Sequence, residues 1–335
     1  GDHKKTATAI ANQINILNKD EISITGKELD EKEQDFLDEH IEKIRVYARV
    51  SPDHKIKIVE NLINKVNIVS VTGDGGNDER GLKKANIGIS MGITGTDVAK
   101  EASEMILRDD NFASIFEAVK EGRVIFDNIR KVAFFLLSSS AGVALTIILT
   151  MIFGLPLPFF ATQVLWINLV TNGLQDVALA FEPAEKNIAK KPPRNPQENI
   201  MNAFVLKRLA LVGIVIAAGA FSYYWYQIST NVSQEYARTA AMNLVVFFQF
   251  FHTLNSRSFE QSIFRMSPFS NKFLFISLFC SVIAQILVVT LPAFHFVFST
   301  TSLKAVTWLE TIFIALSIVV IIELDKAIRR KIKKT

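Results

Sequence analysis

The spacing of apolar and polar positions divides the chain near residue 131. Before that point short apolar runs alternate with amphipathic stretches. Residues 4–17 place Ala7, Ile10, Ala11 and Ile14 on one helical face. Residues 28–44 read as a charged helical stretch with a solvated face. Residues 46–50 predict a strand, and Ser51-Pro52-Asp53 opens a helix over 53–65, with Ser as N-cap and Pro in the first turn. The alternation continues through a strand entering residue 72, a strand at 87–91, a helix at 97–104 and a strand at 105–108. That order predicts a parallel sheet with helices on its faces. From residue 114 a helical pattern reaches 131 and enters apolar sequence without a Pro or a loop signal.

Beyond residue 131 the period gives way to length. Six apolar runs, 132–153, 159–181, 209–229, 239–256, 273–291 and 305–324, each come near the roughly 20 residues that cross a bilayer. Six such runs exceed what one globular core of this length would bury. Lys186, Lys190, Lys191 and Arg194 lie between runs two and three, and Arg257, Arg265 and Lys272 between runs four and five. The tail from residue 326 is basic, whereas 154–158 and 230–234 hold no Lys or Arg. By the positive-inside rule the basic loops and the polar first part face the cytoplasm. A multi-pass protein of the plasma membrane is expected.

Composition refines this picture. At 335 residues, 49% hydrophobic and net charge +4, the chain suits one soluble and one membrane domain. No basic stripe with interleaved aromatics points to nucleic acid. Cys280 is the single cysteine, which excludes an internal disulfide and a cysteine metal cluster. The chain opens on Gly1-Asp2, without Met or signal peptide, and reads as part of something longer.

Candidate chemistry centres on residues 68–90, IVSVTGDGGNDERGLKKANIGIS. A strand ending in Thr72-Gly73-Asp74, then a Gly turn and a helix, matches the edge at which open α/β sheets bind ligands. Asp74, with Asn77 and Asp78 near it, offers hard oxygen ligands for Mg²⁺ beside a phosphate. Gly73, Gly75 and Gly76 let the backbone approach an anion. In the membrane part, Asn168, Thr171, Asn172 and Asp176 recur at helical spacing on one face, beside Gly173. Ser138-Ser139-Ser140 and Gly142 lie in run one, Gln249 and His252 in run four, and Glu310 in run six.

TGDGGND followed by LKKANIGISMG resembles the hinge motif of P-type ATPases, which belong to the haloacid dehalogenase superfamily of phosphotransfer folds. GTDVAK at 95–100 is typical of the type II cation pumps. Glu79, Arg80 and Gly81 depart from the family's usual Ala-Pro-Ala. ARVSPDHKIKIVE is similar to the segment whose lysine contacts the aspartyl phosphate, which implies that role for Lys55. The TATAIA helix places Asp2 at the phosphorylation site by the same resemblance. LWINLVTNG and the later FEP and PPR look like the sixth membrane helix of type II pumps and the loop after it. Of the calcium-pump ligands, Asn168 and Thr171 match. Fifth-helix Asn and Glu fall on Ser140 and Val143, the sixth-helix Asp on Asn172 and the eighth-helix acid on Gln249. Three carboxylates are thus missing, so a single or monovalent ion is implied rather than two Ca²⁺.

The resemblance implies an α/β plus membrane all-α architecture. A Rossmann-like, haloacid-dehalogenase-type partial phosphorylation domain spans 1–111 and a stalk helix 112–131. A six-helix transmembrane bundle comes next over 132–325, with a basic cytoplasmic tail at 326–335. The implied function is the C-terminal part of an ATP-driven cation pump with an aspartyl-phosphate intermediate and Mg²⁺. The family's D-K-T-G-T motif, T-G-E loop, nucleotide-binding domain and first four membrane helices are not in this sequence. ATP would bind mainly to that missing N-terminal part, and this polypeptide alone is expected to be inactive. The sequence leaves two rival readings: a non-catalytic membrane regulator or assembly partner, and a phosphatase of the same superfamily on a membrane anchor. The absent nucleophile counts against the latter.

Overall fold

A computed structural model of the chain describes residues 3–32, 34–185, 188–190, 192–195 and 198–332. They form two compact units, Gly1–Val119 with Arg194–Gln197, and Lys120–Pro193 with Glu198–Thr335.

The first unit is α/β. Its order is α1 (Lys4–Gln13), β1 (Ile22–Thr25), α2 (Gly26–Asp30), α3 (Gln34–His40), β2 (Ile44–Ala48) and α4 (Pro52–Asn64). Then come β3 (Ser70–Gly73), α5 (Glu79–Lys84), β4 (Ile87–Met91), α6 (Asp97–Glu101) and β5 (Met105–Leu107). Every strand pairing is parallel, in two sheets: β1-β2 and β3-β4-β5. Residues 28–44 are not one solvated helix. Leu29, Leu37, Ile41 and Ile44 are buried with Ile24, so this stretch builds a core of its own and supplies the start of β2. The loop after β4 is pinned by Asp110, whose carboxylate accepts from the amides of Gly92 (2.6 Å), Ile93 (2.9 Å) and Thr94 (2.8 Å). Those bonds, the Ile93 amide foremost, hold its pKa down to about 2.

The second unit is helical. A single 41-residue helix, α7 (Phe112–Ile152), crosses the boundary between the units. After it come α8 (Ala161–Ile167), α9 (Gly173–Ala180), α10 (Ala203–Ser229), α11 (Gln234–Ser256), α12 (Lys272–Thr290), α13 (Pro292–Phe298) and α14 (Ala305–Ile332). Among the described residues four helices are long and apolar enough to cross a membrane: α7, α10, α12 and α14. The other two apolar runs differ for physical reasons. Run two is interrupted by a π-helical turn, Asn168–Asn172, between α8 and α9. Run four is α11, 17 of whose 23 residues are buried in protein, so its Asn243, Gln249 and His252 do not need a lipid-compatible setting. The stretch from residue 326 does not begin a separate tail: α14 continues to Ile332, and Lys326 is fully buried on it.

Two polar networks organise the unit. At the end of α9, Asn128 Nδ2 donates to the carbonyls of Ala180 (3.0 Å) and Glu182 (2.8 Å). Asn271 Nδ2 donates to the Ala178 carbonyl (2.8 Å) and to Glu182 Oε2 (2.9 Å). The helix's orphan carbonyls are therefore satisfied by side chains from α7 and from the N-cap of α12. Arg257 closes the cluster on Glu182 Oε1 at 2.9 Å. In the second network Trp166 Nε1 donates to Gln285 Oε1 (2.8 Å) and Gln285 Nε2 to Asn243 Oδ1 (2.9 Å). Asn243 Nδ2 then donates to Thr311 Oγ1 (3.0 Å), which donates to the Trp308 carbonyl (2.9 Å). All four side chains are buried.

Gln285→Leu breaks this chain at its middle, leaving the Trp166 N–H and the Asn243 oxygen unpaired. It should lower stability by about 1–3 kcal/mol, read as an earlier unfolding transition in detergent. An unshifted transition would show that the network adds nothing to stability.

Candidate functional site

The first site stands at the C-terminal end of β3. Ser51 caps α4 through a reciprocal bond with His54, its Oγ accepting from the His54 amide (3.2 Å) and His54 Nδ1 accepting from the Ser51 amide (3.1 Å). The cap fixes where α4 begins and sets Lys55 in its first turn. Lys55 Nζ donates to Asp78 Oδ1 at 2.5 Å. Asp78 Oδ2 in turn accepts from the Asp74 amide at 3.3 Å. Asp78 is buried, whereas Asp74 and Asn77 are exposed.

The turn glycines do different jobs. A Cβ on Gly73 would lie 2.5 Å from Asp78 Cβ, so this position is kept small by Asp78 itself rather than by an incoming anion. Beside Gly75 and Gly76 the space is open, and neither has a positive φ. The three residues that depart from the family pattern have partners. Glu79 pairs with Lys83 (2.7 Å) and Arg80 with Asp53 on α4 (2.7 Å). Gly81 is buried, and a Cβ built there would lie 4.0 Å from Val71 Cγ1, so a methyl would fit. Among the described residues no hydrogen bond or ion pair reaches the Asp74 carboxylate, and no preformed cluster of three metal ligands occurs. One free carboxylate is the protein donor set that Mg²⁺ takes beside a phosphate, the remaining ligands being water and phosphate oxygen. Asp2 lies outside the described residues.

The second site is inside the helical unit. Ser138 Oγ is 2.6 Å from the Phe134 carbonyl and 2.7 Å from His252 Nε2. A carbonyl can only accept, so the hydroxyl proton goes to Phe134 and Nε2 must donate to Ser138. That fixes the tautomer and leaves His252 Nδ1 buried without a hydrogen-bond partner. Thr253 Oγ1 contacts Gln175 Oε1, joining α11 to α9. Gln249 lies buried one turn before Thr253, whose hydroxyl donates to its carbonyl at 2.8 Å.

Sequence spacing put Asn168, Thr171, Asn172 and Asp176 on one face. The π turn adds a residue to that stretch and rotates the helix beyond it. Gln175 faces the interior instead, Asp176 is half-buried with Oδ1 accepting from the Val177 amide, and Asn168 is exposed. Ser140 is also exposed, whereas Ser138 and Ser139 are buried. The side chains of Thr171 and Asn172 lie outside the described residues. The interior thus gathers Gln249 and His252 but neither Ser140 nor Asn168. Of the run-one serines the structure selects Ser138, while Gln175 escapes a period of 3.6 carried through the π turn and Thr253 has no sequence signal to mark it.

Residues 156–328 match the family model described as cation transporting ATPase, C-terminus. The chain belongs to the type II cation-transporting P-type ATPases. It is 36% identical over 334 residues to a probable cation-transporting ATPase F of Mycobacterium tuberculosis, covering 98% of this chain and 37% of that protein. It is 40% identical over 316 residues to a calcium-transporting ATPase of Bacillus subtilis, covering 93% and 35%. A human calcium-transporting ATPase type 2C member 1 is 35% identical over 334 residues, covering 100% and 36%. The chain spans little more than a third of the length of these ATPases. With four apolar helices and this family, it is an integral multi-pass membrane protein.

Burial opposes the ionisation of Asp78, but the hydrogen bond and charge of Lys55, with the Gly75 and Asp74 amides, outweigh it and hold the carboxyl below its ordinary value. Its contribution to stability is complete above the unfolded value of about 3.9 and is lost as pH falls through the folded value. In Lys55→Ala burial meets less opposition, so Asp78 should titrate at higher pH than in the parent. An NMR titration reads this directly, and an unchanged midpoint would remove Lys55 as its partner.

Proposed function

We propose that this chain supplies the phosphate-handling edge and the ion-conducting helices of an ATP-driven cation pump that forms an aspartyl phosphate. The observation that carries this reading is the Lys55–Asp78 pair, a partly exposed lysine on a buried carboxylate, at the end of a parallel strand and beside an unengaged Asp74. On this reading the first unit has the Rossmann-like, haloacid-dehalogenase-type fold. Asp78 acts on the turn, tying its amides and the lysine into one fixed group. Lys55 neutralises charge developing on the transferred phosphoryl group. Asp74 holds Mg²⁺, which when bound supplies charge stabilisation at the phosphate oxygens. The family resemblance implies a part for Asp2 in the phosphorylation chemistry, and ATP binds mainly outside this stretch.

The bundle has six spans on this reading, the two beyond the four apolar helices being α8–α9 and α11. The basic loops support a cytoplasmic first unit on this reading, and the plasma membrane is the expected location. Helix α7, continuous from Phe112 to Ile152, is the mechanical link. The ion path runs past Gln175, Gln249, His252 and Asp176, with Asn168 and Ser140 contributing from the exposed faces of α7 and the π turn, and the family resemblance adds Thr171 and Asn172 as candidates. So few carboxylates favour a single or monovalent cation, although relatives are named as calcium-transporting.

In the intact pump Asp74→Ala should lower phosphoenzyme formation from ATP on the order of 10²-fold or more, and normal phosphoenzyme would overturn its role. Asp176→Asn should weaken the ion dependence of ATPase activity about tenfold in an ion-screened assay. Unchanged ion affinity would place Asp176 outside the path.

A further inference from the structure

At the end of the helical unit where α7 and α14 carry arginines, a cavity of about 510 Å³ opens between α7, α10, α14 and the segment after α11. This is the size range of small-ligand sites. Its cationic wall is Arg130 of α7 with Lys326, Arg329 and Arg330 of α14, and Phe204 and Phe259 form its apolar wall. The rings hold the guanidinium groups. Arg329 lies 4.7 Å from the Phe204 centroid and Arg130 lies 5.7 Å from that of Phe259.

The cations differ in what neutralises them. Lys326 is 3.3 Å from Glu323, and Arg329 is 2.7 Å from Asp325. Asp127, Glu185 and Glu260 also reach the cavity, and Glu185 accepts from Ser258 Oγ at 2.7 Å. Among the described residues neither Arg130 nor Arg330 takes part in an ion pair. Arg130 Nε is buried and has no hydrogen-bond partner. A buried guanidinium N–H without an acceptor is a rare arrangement that an anionic oxygen resolves. Two of the helices around the cavity expose apolar side chains, Leu206 on α10 and Leu324 and Ile328 on α14, a surface suited to acyl chains.

We propose that this cavity binds the headgroup of an anionic phospholipid, with the phosphate between Arg130 and Arg330 and the acyl chains along α10 and α14. Basic pockets between membrane helices take such headgroups because a phosphate accepts several charge-assisted bonds while its chains stay in lipid. The site does not depend on which ion is carried or on the phosphate chemistry of the first unit.

The test is thermal unfolding of the full chain in a neutral detergent, titrated with dioctanoyl phosphatidylglycerol. The transition should rise and saturate with this lipid and stay put with dioctanoyl phosphatidylcholine. Equal shifts from both lipids would overturn the proposal. Inorganic phosphate at the same concentrations should do nothing, and a matching shift would assign the cations to free phosphate rather than lipid. Arg130→Gln and Arg330→Gln should each weaken the phosphatidylglycerol titration about fivefold, and parental affinity in both would overturn the site. If Arg130→Gln does not fold, Arg330→Gln near the end of α14 decides alone. Lys207→Gln, an exposed cation outside the cavity, should leave the affinity unchanged. A loss as large as that of Arg330→Gln would reduce the effect to diffuse surface charge and sink the proposal.

Discussion

A buried charge must be paired and hydrogen-bonded, and Glu182 shows what that demand does to a helical bundle. Its carboxylate is almost fully enclosed, with Arg257 on one oxygen and Asn271 on the other, while Asn128 takes its carbonyl. Those partners come from the residue after α11, the cap of α12 and the middle of α7. Removing any one leaves charge or backbone unsatisfied at a buried position. The end of α9 is therefore held in a single position relative to three other elements, which lets α8–α9 tolerate the π turn in its middle. Ser281 reaches across from α12 to donate to the Val170 carbonyl of that turn at 2.9 Å.

The same logic operates on a smaller scale in the α/β unit. Asp78 is the centre of its turn: a lysine and two amides converge on it, and Gly73 is required because its methyl-sized space is occupied by that side chain. Asp74 is left unengaged at the edge. The division of labour between two nearby aspartates comes from environment alone, one buried and committed, the other exposed and free.

Much of this was legible in the sequence. The cap at Ser51, strand β4 and the apolar helices arise from local propensity and period, which act over a few residues. The family was readable from the run around Asp74. Legibility failed where tertiary structure overrides period. Leu29, Leu37 and Ile41 are spaced among so many charges that their burial shows only once β1 and β2 pair. The face of α9 could not be read through an extra residue in the helix. The Arg130–Arg330 cavity needs α14 to continue as a helix past residue 326 so that its cations line the same space as Arg130, whereas the sequence there reads as a basic cytoplasmic tail.

The Trp166–Gln285–Asn243–Thr311 network is also directional. An indole nitrogen can only donate and the Trp308 carbonyl can only accept, so both ends of the series are one-way. Every proton between them must point from α8 toward α14, and the two amide side chains have no alternative orientation. The series therefore cannot reverse by rotating one member, and neither end can release or accept a proton to turn it into a relay. The molecule carries in this series a donor-to-acceptor order, from α8 through α12 and α11 to α14, that no titratable group can reverse.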